Sequence, residues 1–421
     1  MKSMHVQKQK QLLPFYIKGL AQKKFTLKQA SESTGYTIQW LMQLRNNYIN
    51  NGFLDLENKN KYRIPKNKKP EKLKQKIVAI YCSEYKDINF KFFCKCLKEY
   101  ENIDICYTTL RNVMSEYGIK SPEARKVKTK IKAHRPRLRR QNEGDLLQID
   151  GTPFEWFYKT GDNKKYSMHG AIDDATGKIT GLYITENECL YGYLEILRQT
   201  IQNHGIPREI YSDRAAIFCV TPKNKKNLTI WEELAGIHDK RTQWQRILAD
   251  DLNVRQILAW SPQAKGRVER MWQTLQGRIP TIFYKNNIRT VEEANKFLPK
   301  VIEAFNKEFS IEADNPILFW RELLPSQNLE DILCAKIERK TNINGTFKFH
   351  SYTGSVIAND ISNKEILLCI SERGIMAKYK DKYYPVQLLD KLQYCVGDSM
   401  PEVLQNIVYR YMFAYAKEIS A

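Results

Sequence analysis

Apolar positions recur at helical spacing in two stretches near the start of the chain. In the first stretch, Thr26 and Gln29 have the form of a capping box at the start of a helix, and Gly35 predicts a tight turn before a second helix. The apolar side of this second helix comprises Ile38, Leu41, Leu44 and Tyr48. A similar pattern runs from Asn89 to Ile119, with Phe90, Phe93, Leu97 and Tyr100 on the apolar side of one helix and Leu110, Val113, Met114 and Tyr117 on that of the next. The spacing therefore predicts two helix-turn-helix units in tandem.

The polar side of the second helix in each unit is the surface that a DNA major groove would meet. In the first unit these positions are Gln39, Gln43, Arg45 and Asn46, and in the second they are Thr108, Thr109, Arg111 and Asn112. Many helical hairpins bind nothing, so each unit alone is weak support for DNA binding. Two units in tandem on a basic segment favour it.

After residue 140 the pattern changes to short runs typical of strands. Three such runs lie at 146–152, 166–172 and 179–185, and a polar turn of hairpin type joins the last two. The predicted elements that follow are a helix at 190–204, a strand at 208–213, a helix at 242–252, a strand at 255–260 and a helix starting near Ala264. The order β-β-β-α-β-α-β-α is that of a ribonuclease-H-like fold, with three antiparallel strands and two parallel strands added through helices.

The remaining segments predict a closing helix, a small barrel and a tail. Residues 291–326 have the pattern of a helix and linker, with Leu298, Ile302 and Phe305 on an apolar face and Trp320 packed nearby. The alternation in residues 331–395 predicts a small β-barrel. Residues 396–421 predict an amphipathic helix.

These patterns predict a multidomain α/β protein: N-terminal all-α modules, a mixed-sheet core and a C-terminal barrel. The expected divisions are a helix-turn-helix domain at 1–57, a basic linker at 58–73, a second helix-turn-helix domain at 74–124, a basic linker at 125–140, the core at 141–326, the barrel at 331–395 and the tail at 396–421.

The charge is unevenly distributed along the chain. Residues 1–140 hold 32 Lys and Arg against 11 Asp and Glu, whereas residues 141–421 hold 36 of each, so the formal net charge of +21 lies entirely in the first third. Such asymmetry indicates a segment that binds a polyanion, because neutralising phosphates releases condensed counterions. The linker at 125–140 contains nine Lys or Arg, and we expect Arg135, Arg137 and Arg139 to follow a DNA backbone or minor groove.

Composition excludes several classes of protein. The hydrophobic share of 42% and charged share of 27% are those of a globular chain, and no apolar stretch approaches the length of a membrane span. Nine scattered Cys without a C-x-x-C pair favour free thiols, and six dispersed His argue against a structural zinc site. We therefore expect a soluble, intracellular protein that does not act at a membrane.

Three carboxylates lie where the predicted elements meet. Asp150 is inside an otherwise apolar strand, Asp213 ends the fourth strand, and Glu269 is near the start of the helix after the fifth. In the proposed fold the first and fourth strands are neighbours, so we expect these carboxylates to lie close together and buried. Hard oxygen ligands in this arrangement indicate Mg²⁺ or Mn²⁺, with two ions suited to phosphoryl transfer.

The sequence resembles DDE transposases with a retroviral-integrase-type core, in particular the insertion-sequence group called ISNCY. The resemblance covers about residues 20–390 and rests on the motifs LLQIDGTPFEWF, AIDDATGKITGLYIT, IPREIYSDRAAIF and SPQAKGRVERMWQTLQGRI. It implies that Asp150, Asp213 and Glu269 are the two aspartates and the glutamate of the catalytic triad. It also implies a bacterial, nucleoid-associated enzyme that binds the terminal inverted repeats of a mobile element, cuts them and joins them to target DNA, as a homo-oligomer on DNA.

Basic and polar residues flank Glu269. Gln263, Lys265, Arg267 and Arg270 supply donors where a DNA backbone would pass. A helix start is an unfavourable place for positive charge unless an anion binds there, so we expect them to contact DNA. Asp173 and Asp174, in contrast, are expected to form a turn.

Two other functions fit part of this pattern. A domesticated transposase that acts as a DNA-binding regulator would use the helix-turn-helix units alone, but such a protein is expected to have lost a catalytic acid, and all three are present. A nuclease of the same fold would cut without joining, and three acids do not distinguish it from a transposase.

Overall fold

The computed structural model describes residues 2–53, 69–122, 138–220, 241–259, 266–325, 327–349, 352–356, 358, 360–371, 374–380, 382–389 and 407–413. The chain divides into two compact units, Met1–Ile77 and Val78–Ala421. Among the described helices, none combines the length and apolar character that a membrane crossing requires. The domain boundaries expected from sequence stay predictions.

The first unit contains helices α1 (Lys2–Ala21), α2 (Leu27–Thr34), α3 (Ile38–Asn51) and the start of α4 (Glu71–Glu84). The predicted capping box is present, since Gln29 N donates to Thr26 Oγ1 and Thr26 N donates to Gln29 Oε1. Gly35 ends α2 with φ of 73°, a left-handed conformation that glycine adopts without a steric penalty. Both helices of the predicted first hairpin are therefore confirmed.

The core of the first unit lies between α1, α2 and α3. Its buried apolar members are Leu13, Ile17, Leu20, Ala30, Leu41 and Leu44. Ile38, which the pattern placed on the apolar side, is 47% exposed. It is the first residue of α3, so no preceding turn of the helix covers it.

In the second unit, α5 (Phe90–Tyr100) and α6 (Tyr107–Glu116) form the second predicted hairpin. Phe90, Phe93 and Leu97 of α5 are buried, as the apolar spacing predicted, and so are Leu110, Val113 and Met114 of α6. Tyr117 is 39% exposed because α6 ends at Glu116.

A mixed five-stranded sheet forms the centre of the second unit. Its strands are β1 (Leu146–Phe154), β2 (Tyr166–Asp173), β3 (Ile179–Thr185), β4 (Glu209–Ser212) and β5 (Arg255–Leu258). Their order is β3-β2-β1-β4-β5. The pairs β1–β2 and β2–β3 are antiparallel, whereas β1–β4 and β4–β5 are parallel. This is the strand arrangement that the sequence predicted.

Helices cover both faces of this sheet. They are α7 (Leu190–Asn203), α8 (Gln243–Arg246) with a π turn at Ile247–Asp251, α9 (Gly266–Gln276), α10 (Ile279–Lys285) and α11 (Val291–Phe309). Leu147 and Ile149 pack with α7 and α8, whereas Met168, Leu182 and Ile184 pack with α9, α10 and α11. The expected place of Trp320 beside the α11 face is wrong, because its ring lies 5.5 Å from that of His204, after α7.

The C-terminal region contains a short helix, α12 (Leu329–Ile332), and a second sheet. Its strands are β6 (Ala335–Lys340), β7 (Thr346–Phe349), β8 (Tyr352–Val356), β9 (Glu365–Ser371), β10 (Gly374–Tyr379) and β11 (Lys382–Leu389). They are paired in the order β6-β9-β10-β11-β8-β7, with antiparallel neighbours, to give a nearly closed sheet. In the predicted tail helix, Tyr409–Phe413 form a π turn, and Phe413 packs against Tyr191 of α7.

Basic side chains of the core attach α5 to it. Arg278 lies between the rings of Phe92 and Phe309, at 4.8 and 4.7 Å, and donates to both carboxylate oxygens of Glu308 at 2.8 Å. This guanidinium lowers the pKa of Glu308 to about 2. Lys285 donates to Glu84 at 2.6 Å and to Glu101 at 2.9 Å. Residues on either side of α5 are thus held by ion pairs to the core.

We predict that Arg278→Ala destabilises the protein by about 2 kcal/mol, because it removes a bidentate ion pair and two cation–π contacts. The Arg278 side chain that makes these contacts is only 11% exposed. Urea unfolding of the full chain measures this. Arg241→Ala is the matched control, since the Arg241–Asp250 pair is 57% and 54% exposed and is expected to contribute less than about 1 kcal/mol. Equal effects of the two substitutions would contradict the prediction.

Candidate active site

Asp150 and Asp213 lie on neighbouring parallel strands. The register pairs Leu146 with Glu209 and Gln148 with Tyr211, and continuing it by two residues sets Asp150 opposite Asp213. Asp213 directly follows β4, and its Oδ1 accepts from Ala215 N at 2.9 Å. Both aspartates are half-buried. The predicted pairing of these two carboxylates is therefore what the strand register gives.

Glu269 lies in the first turn of α9 and is exposed. The expectation of three buried carboxylates is wrong in this respect. The reason is local, because Val268, the preceding residue, points into the core and is fully buried, which turns Glu269 outward. Within the described ranges, no group of three or more His, Cys, Asp or Glu is close enough to hold a metal ion together.

A buried ion pair attaches the start of α9 to the sheet. Arg267 Nη1 donates to Asp174 Oδ1 at 2.7 Å, and the two side chains are 15% and 0% exposed. Asp174 also accepts from Gln148 Nε2 at 2.6 Å and from Arg140 N at 2.8 Å. Because a buried carboxylate is costly without such donors, this network stabilises the position of the first described turn of α9 against the sheet.

Gln148 extends this network to the backbone of α9. It is fully buried on β1, two residues before Asp150, and its Oε1 accepts from Val268 N at 3.4 Å. The N–H groups in the first turn of a helix lack partners within the helix, so a side-chain acceptor there stabilises the helix start. One side chain of β1 thus contacts both the ion pair and the residue before Glu269.

Trp272, one turn after Glu269, contacts Asp150 directly. Its indole Nε1 donates to Asp150 Oδ2 at 3.1 Å. The indole is 5% exposed. The helix that carries one predicted catalytic acid therefore hydrogen-bonds to another.

Tyr193 and Glu188 lie near the two aspartates. The hydroxyl of Tyr193 donates to Glu188 Oε1 at 2.5 Å. Burial raises the pKa of Tyr193 well above its ordinary value, and the charges of Glu188, Asp150 and Asp213 raise it further. The tyrosine is consequently neutral, and it lies in a region of negative potential.

Asp173 and Asp174 have different roles in the turn after β2. Asp173 Oδ2 accepts from Thr176 N at 2.8 Å and from Thr176 Oγ1 at 2.7 Å, which confirms the predicted turn. Asp174 does more than form a turn, since it is the buried partner of Arg267.

The described residues that we predicted to contact DNA differ in exposure. Gln39, Gln43 and Asn46 of α3 are exposed, as are Arg111 and Asn112 of α6 and Arg270 of α9. Arg45 is half-buried and donates to Asn46 Oδ1 at 3.0 Å, and Thr109 is half-buried, 3.0 Å from Cys106 Sγ. Arg139 Nη1 donates to Ala175 O at 2.9 Å. Arg267 is held by Asp174.

Four of the predicted DNA-contact residues lie outside the described residues. They are Arg135, Arg137, Gln263 and Lys265. The contact of each predicted residue with DNA stays a prediction. Two of the predicted contacts beside Glu269 are described by the structure. Arg267 pairs with Asp174, whereas Arg270 is exposed to solvent.

Two curated transposases are similar to this chain over most of its length. One, from Streptococcus pneumoniae, is the transposase for insertion sequence IS1202, 29% identical over 413 residues that cover 89% of this chain and 85% of the relative. The chain is therefore similar to an insertion-sequence transposase over most of its length. The other, the putative transposase y4bF of Sinorhizobium fredii (strain NBRC 101917 / NGR234), is 29% identical over 361 residues, 86% of this chain and 73% of the relative.

Solved structures with local likeness come from retroviral integrases. A simian T-cell lymphotropic virus intasome in complex with PP2A regulatory subunit B56 gamma matches 76% of this chain and 99% of the other chain, with 14% identity and a TM-score of 0.32. The HTLV-2 integrase catalytic core domain in complex with magnesium matches 41% of this chain and 94% of its own chain, with 15% identity and a TM-score of 0.28. Such TM-scores are too low to assign a function. No family model matches the chain.

Sequence reasoning missed the side chains that support the acids. Gln148 had a signal, since a polar residue inside the apolar run LLQID is expected to have a buried hydrogen-bond partner. Trp272 also had one, because its spacing of three from Glu269 sets both on neighbouring turns of one helix. Glu188 and Tyr193 had no comparable signal.

We predict that Arg267→Ala lowers the free energy of unfolding by about 3 kcal/mol, because it leaves the buried Asp174 carboxylate without its cation. Adding Asp174→Asn should recover part of this loss, since it removes the charge. Arg270→Ala, at an exposed position on the same helix, is the control and should change stability by less than about 0.5 kcal/mol. Urea denaturation of the three variants measures these values, and an Arg267→Ala protein as stable as the control would exclude a stabilising ion pair.

Proposed function

We propose that this chain is a DDE transposase of the ISNCY group, with a ribonuclease-H-like catalytic core. It binds the ends of a mobile DNA element, cuts them and joins them to target DNA. The observation that carries this proposal is the register of β1 and β4, which, continued by two residues, sets Asp150 inside β1 opposite Asp213 just after β4, in a chain similar to transposases. Glu269, on a helix attached to the same strand through Gln148 and Trp272, supplies the third acid.

The acids of the site are hard oxygen donors, the type of ligand that a divalent cation such as Mg²⁺ prefers. Asp150 and Asp213 belong to the neighbouring central strands β1 and β4, and Glu269 is an exposed carboxylate on the adjacent helix. These three residues would hold Mg²⁺ or Mn²⁺, as two ions. Bound there, the ions would supply activation of the attacking oxygen and stabilisation of the leaving oxygen in an in-line displacement.

The reaction has two phosphoryl-transfer steps. Water attacks a phosphorus atom at the element end, the bond from phosphorus to the 3′ oxygen breaks, and the strand is left with a free 3′-hydroxyl. That hydroxyl then attacks a phosphorus atom of the target DNA and displaces its 3′ oxygen, so one phosphodiester forms as another breaks. The same acids serve both steps, because each needs the same charge compensation.

Double-stranded DNA is the partner of the basic first third of the chain. The net charge of +21 lies in residues 1–140, and the exposed Gln39, Gln43 and Asn46 of α3 and Arg111 and Asn112 of α6 are available to base edges and phosphates. The terminal inverted repeats are the specific ligand, and target DNA is the second substrate. The enzyme acts as a homo-oligomer on DNA in the bacterial cytoplasm, at the nucleoid.

We predict that Asp150→Asn, Asp213→Asn and Glu269→Gln each abolish nicking and joining but leave folding and DNA binding intact. Each substitution removes a ligand charge and nearly preserves volume, and the recognition helices lie elsewhere in the chain. The measurement is Mg²⁺- or Mn²⁺-dependent nicking and joining of a labelled duplex that carries the repeats flanking the coding sequence.

Glu186→Gln is the control for this series, because Glu186 is 67% exposed and pairs with Lys164 at the surface. It should retain activity. A Glu269→Gln protein that cuts and joins at the wild-type rate would overturn the triad, and the third acid would then be sought at Glu232 or Glu233, which lie outside the described residues. Cutting without joining by the wild-type protein would indicate a nuclease.

We also predict that Arg111→Ala weakens DNA binding at every salt concentration and reduces the slope of log K against log salt by about 1, the value expected for one lost phosphate contact. Mobility-shift titrations of the full chain across a salt series measure the slope. Glu116→Gln, on the same helix, should leave affinity unchanged or raise it slightly. An unchanged slope in Arg111→Ala would remove this residue from the DNA interface.

A further inference from the structure

The hydrogen bond between Trp272 and Asp150 joins two elements through a single donor. Trp272 Nε1 lies 3.1 Å from Asp150 Oδ2, although the two residues are 122 positions apart in sequence. An indole N–H is a donor that cannot accept, so it holds a carboxylate oxygen without competing for a cation. The direction of the Trp272 N–H bond is fixed by the indole ring, which is 5% exposed and packed in the core.

The sheet leaves room for this contact at Gly170. The register of β1 and β2 pairs Asp150 with Gly170. A Cβ at Gly170 would lie 2.6 Å from Trp272 Cη2 and 2.7 Å from Met271 Cε, closer than side chains approach one another. The ring therefore lies against bare backbone at the cross-strand partner of Asp150, and this brings its N–H to the carboxylate.

The same helix carries Glu269, one turn before Trp272. A rotation of α9 that moved Glu269 would also move the indole away from Asp150. The contact thus correlates the position of the third acid with the orientation of the first. Carboxylates that bind metals are commonly hydrogen-bonded by a further shell of donors, and loss of such a donor lowers metal affinity or activity by about 10- to 100-fold.

We propose that Trp272 is a positioning residue of the active site: its indole N–H orients the Asp150 carboxylate for divalent-cation binding and sets the place of Glu269 relative to it. This inference rests on the proposed function. Because Trp272 acts through Asp150, its loss should change the requirement for metal rather than the affinity for DNA.

The test compares two Trp→Phe variants of the full chain. Trp272→Phe removes the donor to Asp150, whereas Trp156→Phe removes a donor of equal kind, from Nε1 to Tyr166 O at 3.0 Å. The Trp156 ring is fully buried, and its centroid is 6.4 Å from that of Trp272, so the control also reports on loosening of the shared core.

Two readouts are measured on each variant. One is Mn²⁺ binding, followed by the paramagnetic resonance of the free ion, with and without the duplex that carries the flanking repeats. The other is the Mg²⁺ concentration that half-saturates nicking. In Trp272→Phe we expect Mn²⁺ affinity to fall by about 10- to 100-fold and the required Mg²⁺ to rise correspondingly, with DNA affinity unchanged. In Trp156→Phe both values should stay within about 2-fold of wild type, since its partner is a backbone carbonyl remote from the acids.

A shape-preserving replacement keeps the test decisive if Trp272→Phe fails to fold. 3-Benzothienylalanine at position 272 retains the bicyclic ring and substitutes sulfur for N–H, so it removes the donor alone. The same loss of metal affinity is expected. Wild-type metal affinity in a folded benzothienylalanine protein would overturn the role of Trp272, as would an equal loss in the Trp156 control.

These outcomes are distinct from a failure of the proposed function. If the wild-type protein neither binds Mn²⁺ nor nicks DNA, the DDE assignment falls, and the inference falls with it. If the wild type does both and the Trp272 variants match it, the inference alone is wrong.

Discussion

The ion pair between Arg267 and Asp174 is the interaction on which the arrangement of the site depends. Asp174 is fully buried in the turn between β2 and β3, and Arg267 is the second residue of α9. A charge in this environment must have its partner nearby, so the ion pair holds the first described turn of α9 against the turn between β2 and β3. Gln148 and Trp272 then add contacts from the same helix to β1. The position of Glu269 follows from contacts made by its neighbours rather than by itself.

Much of the fold could be predicted because its signals are local. The run at 179–185 coincides with β3, and the capping box at Thr26 with the start of α2, since alternation and caps depend on a few consecutive residues. The adjacency of β1 and β4 also followed, because few topologies accommodate that order of elements. The contacts that orient the site did not follow. Arg267 and Asp174 are 93 positions apart, and no local pattern pairs them.

Net charge proved a coarse guide to the core. Residues 141–421 carry as many basic as acidic residues, which says nothing of how they are arranged. Arg278 pairs with Glu308 of α11 and lies against the Phe92 ring of α5, and Lys285 pairs with Glu84 of α4 and with Glu101 after α5. Burial lowers the pKa of Lys285, but its hydrogen bonds to Glu84, Tyr85 and Glu101 raise it above the ordinary value overall. Part of the basic charge of the core therefore serves to attach α5 and α4 and is not available to DNA.

Negative charge accumulates near β1 and β4, where the reaction is proposed to occur. Burial raises the pKa of Tyr193, and the charges of Glu188, Asp150 and Asp213 raise it further, so the three carboxylates act on one side chain. Such an acidic region repels the phosphates of DNA, and it attracts divalent cations for the same reason. In the proposed function the two tasks are therefore separated along the chain. The basic first third provides affinity for DNA, and the acidic region requires bound cations before a phosphodiester can approach it. Orienting Asp150 with the neutral N–H of Trp272 keeps that negative charge intact, whereas a cationic donor at the same position would compete with the metal.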